Sequence, residues 1–212
     1  MNYIKNILAA LGIGAASVVG TATYFEYNDV QNTQEQLGDK LKFRYSETAK
    51  IEGIYIHHIA GDMTPKQVDD FHKKKFNGGG ISYQLYFDDG TTQYVSPWDV
   101  LKSQASKQNT ISRGFVFNGN YMKDTPDPRD VQQFQIMLYS TLKCFPHIKW
   151  VRPHNKNTYS ATDCPGIKLE KELTPYFFKT REEMQPWLEK MDKRLMNSCN
   201  DSEEAFIDGD PC

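Results

Sequence analysis

The sequence predicts an α/β fold: a single mixed central β-sheet flanked by helices and preceded by an N-terminal apolar helix. Three observations carry that reading. From residue 51 onward, short runs rich in β-branched and aromatic residues are interleaved with amphipathic helical runs. Asp88-Asp89-Gly90 is a tight-turn signal between two such runs, so one pair of strands forms a hairpin inside a sheet whose other strands are separated by helices. The first residues, finally, differ in composition from everything that follows.

Residues 7–25 carry no charge, and at ~1.5 Å per residue they nearly cross a hydrocarbon core of roughly 30 Å. Lys5 and the amino terminus supply a positive flank, and Gly20-Thr21-Ala22 offers small residues for cleavage. Residues 1–26 therefore read as a signal peptide or signal anchor, with a buried Ala/Gly-rich helix as the alternative. Residues 27–50 are polar and read as a tether. Residues 51–196 form the domain, and residues 197–212 an acidic tail with few apolar side chains.

Within the domain, "GIYIHHIAG" has the character of a short interior strand ending at Gly61. Thr64-Pro65-Lys66-Gln67 combines a capping hydroxyl, a first-turn proline and a glutamine three residues after the cap, which predicts a helix from Pro65 to about Phe76. Gly78-Gly79-Gly80 stops it. "ISYQLYF" and "TTQYVS" are the hairpin strands around Asp88-Asp89-Gly90, and "SRGFVFNGNY" supplies another strand. Val131, Phe134, Leu138, Leu142 and Phe145 recur at helical spacing after a proline-rich start and an Asp cap. "IKWVRPH" is one more strand and delivers His154 at its end. A charged amphipathic helix from about Arg181 to Met196 closes the domain, with Pro186 tolerable near its first turn or at a kink.

A net charge of −2 on 212 residues provides no field to hold nucleic acid, and Lys73-Lys74-Lys75 reads as a solvated helix face. Four scattered cysteines do not make a disulfide-dense scaffold. Cys144 is expected to be a small core residue. Cys199 and Cys212 are expected to pair, leaving Cys164 for other chemistry.

That chemistry is suggested by "HNKNTYSATDCPG", residues 154–166, a polar segment without helix or strand periodicity that places a histidine and a cysteine ten residues apart. Together with His57-His58 at the end of the first strand, it offers two imidazoles and a thiolate. Those three ligands make a tetrahedral zinc site with one position open for water, the arrangement of a catalytic rather than a structural zinc. Neighbouring residues on a strand point to opposite faces, so only one of His57 and His58 can face the metal, and alternation alone does not say which. His72 and His147 read as structural or exposed.

The flanks of these residues resemble a known family. Between about residues 51 and 169 the chain is similar to the zinc-dependent N-acetylmuramoyl-L-alanine amidases, which include the amidase-type phage lysozymes and the peptidoglycan-recognition proteins. "IYIHHIAG" resembles their first motif and selects His57 as zinc ligand. "FHKKKFNGGGISYQLYFDDGT" resembles their helix, glycine link and strand bearing a catalytic tyrosine, here Tyr83. "SQASKQNTISRGFVFNGNY" resembles the segment lining their groove, and "HNKNTYSATDCPG" the closing motif, with His154 and Cys164 as the other ligands. Thr162 matches a catalytic threonine of the recognition-protein members. Gln84 and Gln104 stand where histidines are usual and Arg113 where an apolar residue is usual.

The resemblance implies a zinc hydrolase that cleaves the amide between N-acetylmuramic acid and L-alanine in peptidoglycan, in phage lysis or cell-wall remodelling. Tyr83 and Thr162 would be catalytic, and Gln84, Gln104 and Asn109 would bind substrate. Export to the periplasm or cell envelope, with membrane attachment through the N-terminal segment, would bring it to that substrate. Two alternatives remain: a peptidoglycan-binding module of the same fold, and a structural zinc site closed by a fourth ligand, His58 or Cys199.

Overall fold

The structure, a computed structural model, describes residues 48–75 and 80–200, with the backbone alone at residue 49 and residues 195–200. The N-terminal apolar segment, residues 27–47 of the tether, Gly78 and Gly79 of the helix stop, and the tail from residue 201 lie outside the described residues. Among the described residues, no helix is long and apolar enough to cross a membrane.

One sheet organises the domain. Its strands are β1 (Gly53–His58), β2 (Leu85–Asp88), β3 (Thr91–Tyr94), β4 (Ser112–Phe117) and β5 (Trp150–Pro153), in the order β3-β2-β4-β1-β5. β1 pairs in parallel with β4 and β5, β2 pairs in parallel with β4, and β2 and β3 form the antiparallel hairpin. The hairpin turn explains its own sequence. Asp89 and Gly90 both have positive φ, 48° and 74°, the conformation that a two-residue turn needs and that Asp-Gly supplies.

Among the described residues, four α-helices accompany the sheet: α1 (Pro65–Lys75), α2 (Pro128–Cys144), α3 (Ile167–Leu173) and α4 (Arg181–Asn200). The Asp127 carboxylate caps α2 by accepting the Arg129 N–H, and Pro128 occupies the first turn, where a missing N–H costs nothing. Val131, Phe134, Leu138 and Leu142 then fall on one buried stripe. They meet Ile54, Ile56, Leu85, Phe87, Phe115 and Phe117 from one face of the sheet, and α3 and α4 add Leu169, Leu173, Met184, Leu188 and Met191 to the same core. Each large apolar side chain so buried stabilises the fold by ~1.5–3 kcal/mol. α1 lies against the other face, with Val68 packed on Tyr86 and Val116.

Three elements depart from the sequence reading. β2 begins at Leu85, not at Ile81, because residues before it give their N–H groups to α1: Ile81 donates to Asp69 Oδ1 (2.8 Å) and Ser82 to His72 Nδ1 (3.1 Å). α3 is a short helix that the polar composition of its surroundings conceals. α4 continues to Asn200 with Pro186 inside it. At its start Glu183 donates its N–H to Thr180 Oγ1 and accepts the Lys179 N–H through its carboxylate, which ties the first turn to the chain before it.

Cys144 also requires correction. It is not a core thiol: it ends α2 partly exposed and is disulfide-bonded, whereas Cys164 is free. The expected Cys199–Cys212 pairing concerns side chains outside the described residues.

Candidate metal centre

Strand alternation, once anchored by packing, separates the two adjacent histidines. Ile54 and Ile56 of β1 enter the main core, so Tyr55 and His57 point to the opposite face. His58 turns the other way: its Nδ1 accepts the Tyr121 N–H at 3.2 Å, and its ring stacks on Tyr121. His57 is 2 % exposed.

The other two candidate ligands arrive from the end of β5. His154 follows Pro153 directly and begins the short 3-10 helix His154–Lys156. The loop after it folds back because Asn155 donates its N–H to the Cys164 carbonyl at 2.7 Å, while Cys164 donates its own N–H to Thr162 Oγ1 at 3.1 Å. Asn157 anchors the loop further, its side-chain amide donating to the Ser106 carbonyl at 3.1 Å.

One ligand atom each from His57, His154 and Cys164 lies within 4.8 Å of the others, close enough to hold a metal ion. Cys164 Sγ stands 3.6 Å from His57 Nδ1, and the two imidazole rings have centroids 4.4 Å apart. His154 Nε2 is buried without a hydrogen-bond partner. A buried polar atom left unpaired is costly, and a metal ion is the partner this donor set fits.

The electrostatics agree with that fit. Burial, with the neighbouring His154 second, holds His57 well below the usual histidine range, and burial pushes His154 down to about 4. Both imidazoles are therefore neutral at pH 7, the state a ligand needs. Burial pushes the Cys164 thiol up to about 12, opposed by the His58 N–H that reaches its sulfur at 3.4 Å. A nearby cation is what would favour the thiolate.

Tyr83 stands beside this group, its ring centroid 5.0 Å from that of His57 and 5.5 Å from that of His72. Burial, and secondarily Cys164, raises its phenol well above the ordinary tyrosine range, so it stays a proton donor. Gly114 makes the approach possible: a Cβ there would sit 2.9 Å from Tyr83 Cδ1 and 3.4 Å from Gln104 Oε1. Thr162 Oγ1 is occupied as an acceptor by the Cys164 N–H, which leaves its hydroxyl proton to donate.

Of the three amides expected to bind substrate, Gln84 and Gln104 are buried in the fold and Asn109 is half-buried. Gln104 is buried, with Oε1 2.8 Å from His57 Nε2 and Nε2 donating to Ser112 Oγ at 2.7 Å. Gln84 is fully buried and accepts the Gly114 N–H at 2.9 Å. Asn109 Oδ1 accepts the N–H groups of Gln104 (3.0 Å) and Ala105 (2.8 Å). Arg113 is likewise interior, its guanidinium donating to the carbonyls of Trp98, Asn109 and Ser112. His72 accepts the Ser82 N–H, and His147 Nε2 meets the Thr48 carbonyl at 2.8 Å, both in structural roles. The contributions of Gly114 and the His58 N–H have no local signature in the sequence, because each depends on a neighbour distant in the chain.

No protein-family model matches the chain. It is 26% identical over 128 residues to "Peptidoglycan-recognition protein SC1a" of Drosophila melanogaster, covering 56% of this chain and 69% of that protein. Among solved structures, it is similar to the endolysin N-acetylmuramoyl-L-alanine amidase LysCS of Clostridium intestinale, with TM-score 0.55, 22% identity, and coverage of 63% of this chain and 91% of that one. It is equally similar to peptidoglycan recognition protein-LE, solved in complex with tracheal cytotoxin, a monomeric diaminopimelic acid-type peptidoglycan; there the TM-score is 0.56 at 20% identity, covering 68% of this chain and 91% of that one.

Proposed function

We propose that this chain, a member of the fold family shared by N-acetylmuramoyl-L-alanine amidases and peptidoglycan-recognition proteins, is a zinc-dependent peptidoglycan amidase. The observation that carries the reading is the convergence of one ligand atom each from His57, His154 and Cys164 within 4.8 Å, with His154 Nε2 buried and unpaired, beside a tyrosine that burial keeps protonated. Two histidines and one cysteine leave an open coordination position, as catalytic zinc sites do. The structural-zinc alternative needs a fourth protein ligand. His58 is turned to Tyr121, and the Cys199 side chain lies outside the described residues.

Zinc held by His57, His154 and Cys164 would supply a Lewis acid for the scissile carbonyl and would lower the pKa of water toward ~7. His57 and His154 act as neutral ligands, held in that state by burial. Tyr83, keeping its proton, donates a hydrogen bond from its phenol to the carbonyl oxygen as charge develops there, a contribution on the order of 2.7–4 kcal/mol. Thr162 orients the reacting groups through the hydroxyl proton left over from its contact with Cys164.

The substrate is the amide between the lactyl group of N-acetylmuramic acid and L-alanine. Solved relatives of this fold include an endolysin amidase and a recognition protein holding a peptidoglycan fragment, which supports that substrate class. Action outside the cytoplasmic membrane, in the periplasm or envelope, is consistent with the disulfide at Cys144, since such bonds persist in oxidising compartments. The uncharged N-terminal run would deliver the chain there.

Mass spectrometry of purified peptidoglycan incubated with zinc-loaded protein tests the proposal. Release of stem peptides with a free L-alanine amino terminus is the expected result. A protein that carries stoichiometric zinc, binds peptidoglycan and releases no stem peptide is a binding module, and the amidase reading is then lost.

A further inference from the structure

We infer that Gln104 is a positioning residue, the last member of a hydrogen-bond relay that starts at the Gln108 carbonyl and fixes which nitrogen of His57 is free to bind metal. The inference rests on the metal-site reading above but concerns the protein's own protons.

The relay can be solved because one end has a fixed role. A backbone carbonyl only accepts, so the Ser112 hydroxyl, 2.7 Å from the Gln108 carbonyl oxygen, must spend its single proton there. Ser112 Oγ can then only accept from its other neighbour. The Gln104 group 2.7 Å away is therefore the NH2 end of the carboxamide, and the end turned to His57 is the carbonyl oxygen. An oxygen 2.8 Å from His57 Nε2 requires that this nitrogen carry the proton. Neutral imidazole has one N–H, so Nδ1 keeps its lone pair, and Nδ1 is the atom 3.6 Å from Cys164 Sγ.

Two further contacts make the relay rigid. Asn109 Oδ1 accepts the backbone N–H groups of Gln104 and Ala105, pinning the segment that carries the amide. Gly114 leaves the space Gln104 fills, since a Cβ there would touch its Oε1 and its Cβ. An amide in this position differs from an imidazole or carboxylate because its two ends have opposite roles, so it transmits the polarity of the Gln108 carbonyl over two side chains without any charge. The glutamine thereby acts on the metal through His57, and its amide is not available to substrate in this arrangement.

The test reads the proton directly. In zinc-free wild-type protein with 15N-labelled histidine, long-range 1H–15N spectra should show His57 almost entirely as the Nε2–H tautomer at pH 7. Gln104→Ala should release the ring to mix both tautomers and weaken zinc binding by about 10–100-fold in a chelator competition, the usual cost of losing a ligand's outer partner. Gln104→Glu, which presents an acceptor to His57 in either orientation, should restore the Nε2–H tautomer. Ser112→Ala should give a mixture, because the amide is then free to turn over. A wild-type His57 protonated at Nδ1, or a Gln104→Ala protein with unchanged tautomer and unchanged zinc affinity, overturns the inference. Wild-type protein that binds no zinc but shows the Nε2–H tautomer refutes the metal reading and leaves the relay standing.

Discussion

Cys164 Sγ lies 3.6 Å from His57 Nδ1 although the two residues are 107 positions apart in the chain. Their proximity makes a sharp distinction between binding and chemistry possible. Cys164→Ser exchanges a soft thiolate for a weak hydroxyl ligand. It should strip most of the zinc and abolish hydrolysis while leaving the far-ultraviolet circular dichroism unchanged, because the core lies on the other face of the sheet. Loss of the fold on this substitution would indicate a structural metal.

Tyr83→Phe should behave differently. The ring keeps its packing against His57 and His72, so zinc content by metal analysis and retention on peptidoglycan should match wild type. Turnover should fall by about a hundredfold or more, the cost of one oxyanion donor. An unchanged rate would remove Tyr83 from the mechanism.

Gly114→Ala tests the room around the site without touching a ligand. The added methyl meets Tyr83 Cδ1 at 2.9 Å, and overpacking of this kind costs ~1–3 kcal/mol. Urea unfolding should show that loss, and hydrolysis should fall further than stability, since Tyr83 is the side chain that must yield.

Stability should also respond to pH through Asp130. Asp130 is 3 % exposed, and its carboxyl is pushed up to about 6 from 3.8, by burial first and by Asp127 and Asp88; the Gly90 N–H and Arg129 oppose the shift. A carboxyl with a raised folded pKa favours the fold below its unfolded pKa and loses that contribution as pH rises through the folded value. Asp130→Asn keeps an acceptor for the Gly90 N–H, 2.7 Å away. The variant should match wild type near pH 4 and exceed it above pH 7 by up to ~3 kcal/mol, at ~1.4 kcal/mol per pKa unit, in thermal or urea unfolding at the two pH values. Equal stabilities at pH 8 would refute it.

Non-reducing peptide mapping should find Cys144 linked to a cysteine of the C-terminal region and Cys164 as a thiol. Detection of Cys164 in a disulfide would contradict both the structure and the proposed ligand set.

What was legible in the sequence follows from the range of each interaction. The cap and apolar spacing of α2, and the Asp-Gly turn of the hairpin, are local and were readable from neighbouring residues. The choice between His57 and His58 was not, because alternation fixes only that they differ; the burial of Ile54 and Ile56 and the Tyr121 N–H decide it, and only the family resemblance anticipated the result. Gln104 looked like a groove residue because its partners, His57 and Ser112, are 47 and 8 positions away. Cys144 looked apolar because helical spacing places it beside a buried stripe, and its bonding depends on a residue that spacing cannot reach.

The parallel pairing of β1 with β4 and β5 has a bearing on how the chain reaches its active form. Gly53 faces Ser112 on one side and Trp150 on the other, so β1 cannot be paired until long loops have closed, and such topologies fold slowly. Before that, His57, His154 and Cys164 are isolated, weak ligands on a mobile polymer with no shared ion. On the proposed zinc reading, metal loading would follow folding in time, with the scaffold assembling on its apolar core: a chelator present during refolding should leave the folding rate unchanged while yielding an inactive, fully refolded protein that zinc added afterwards restores.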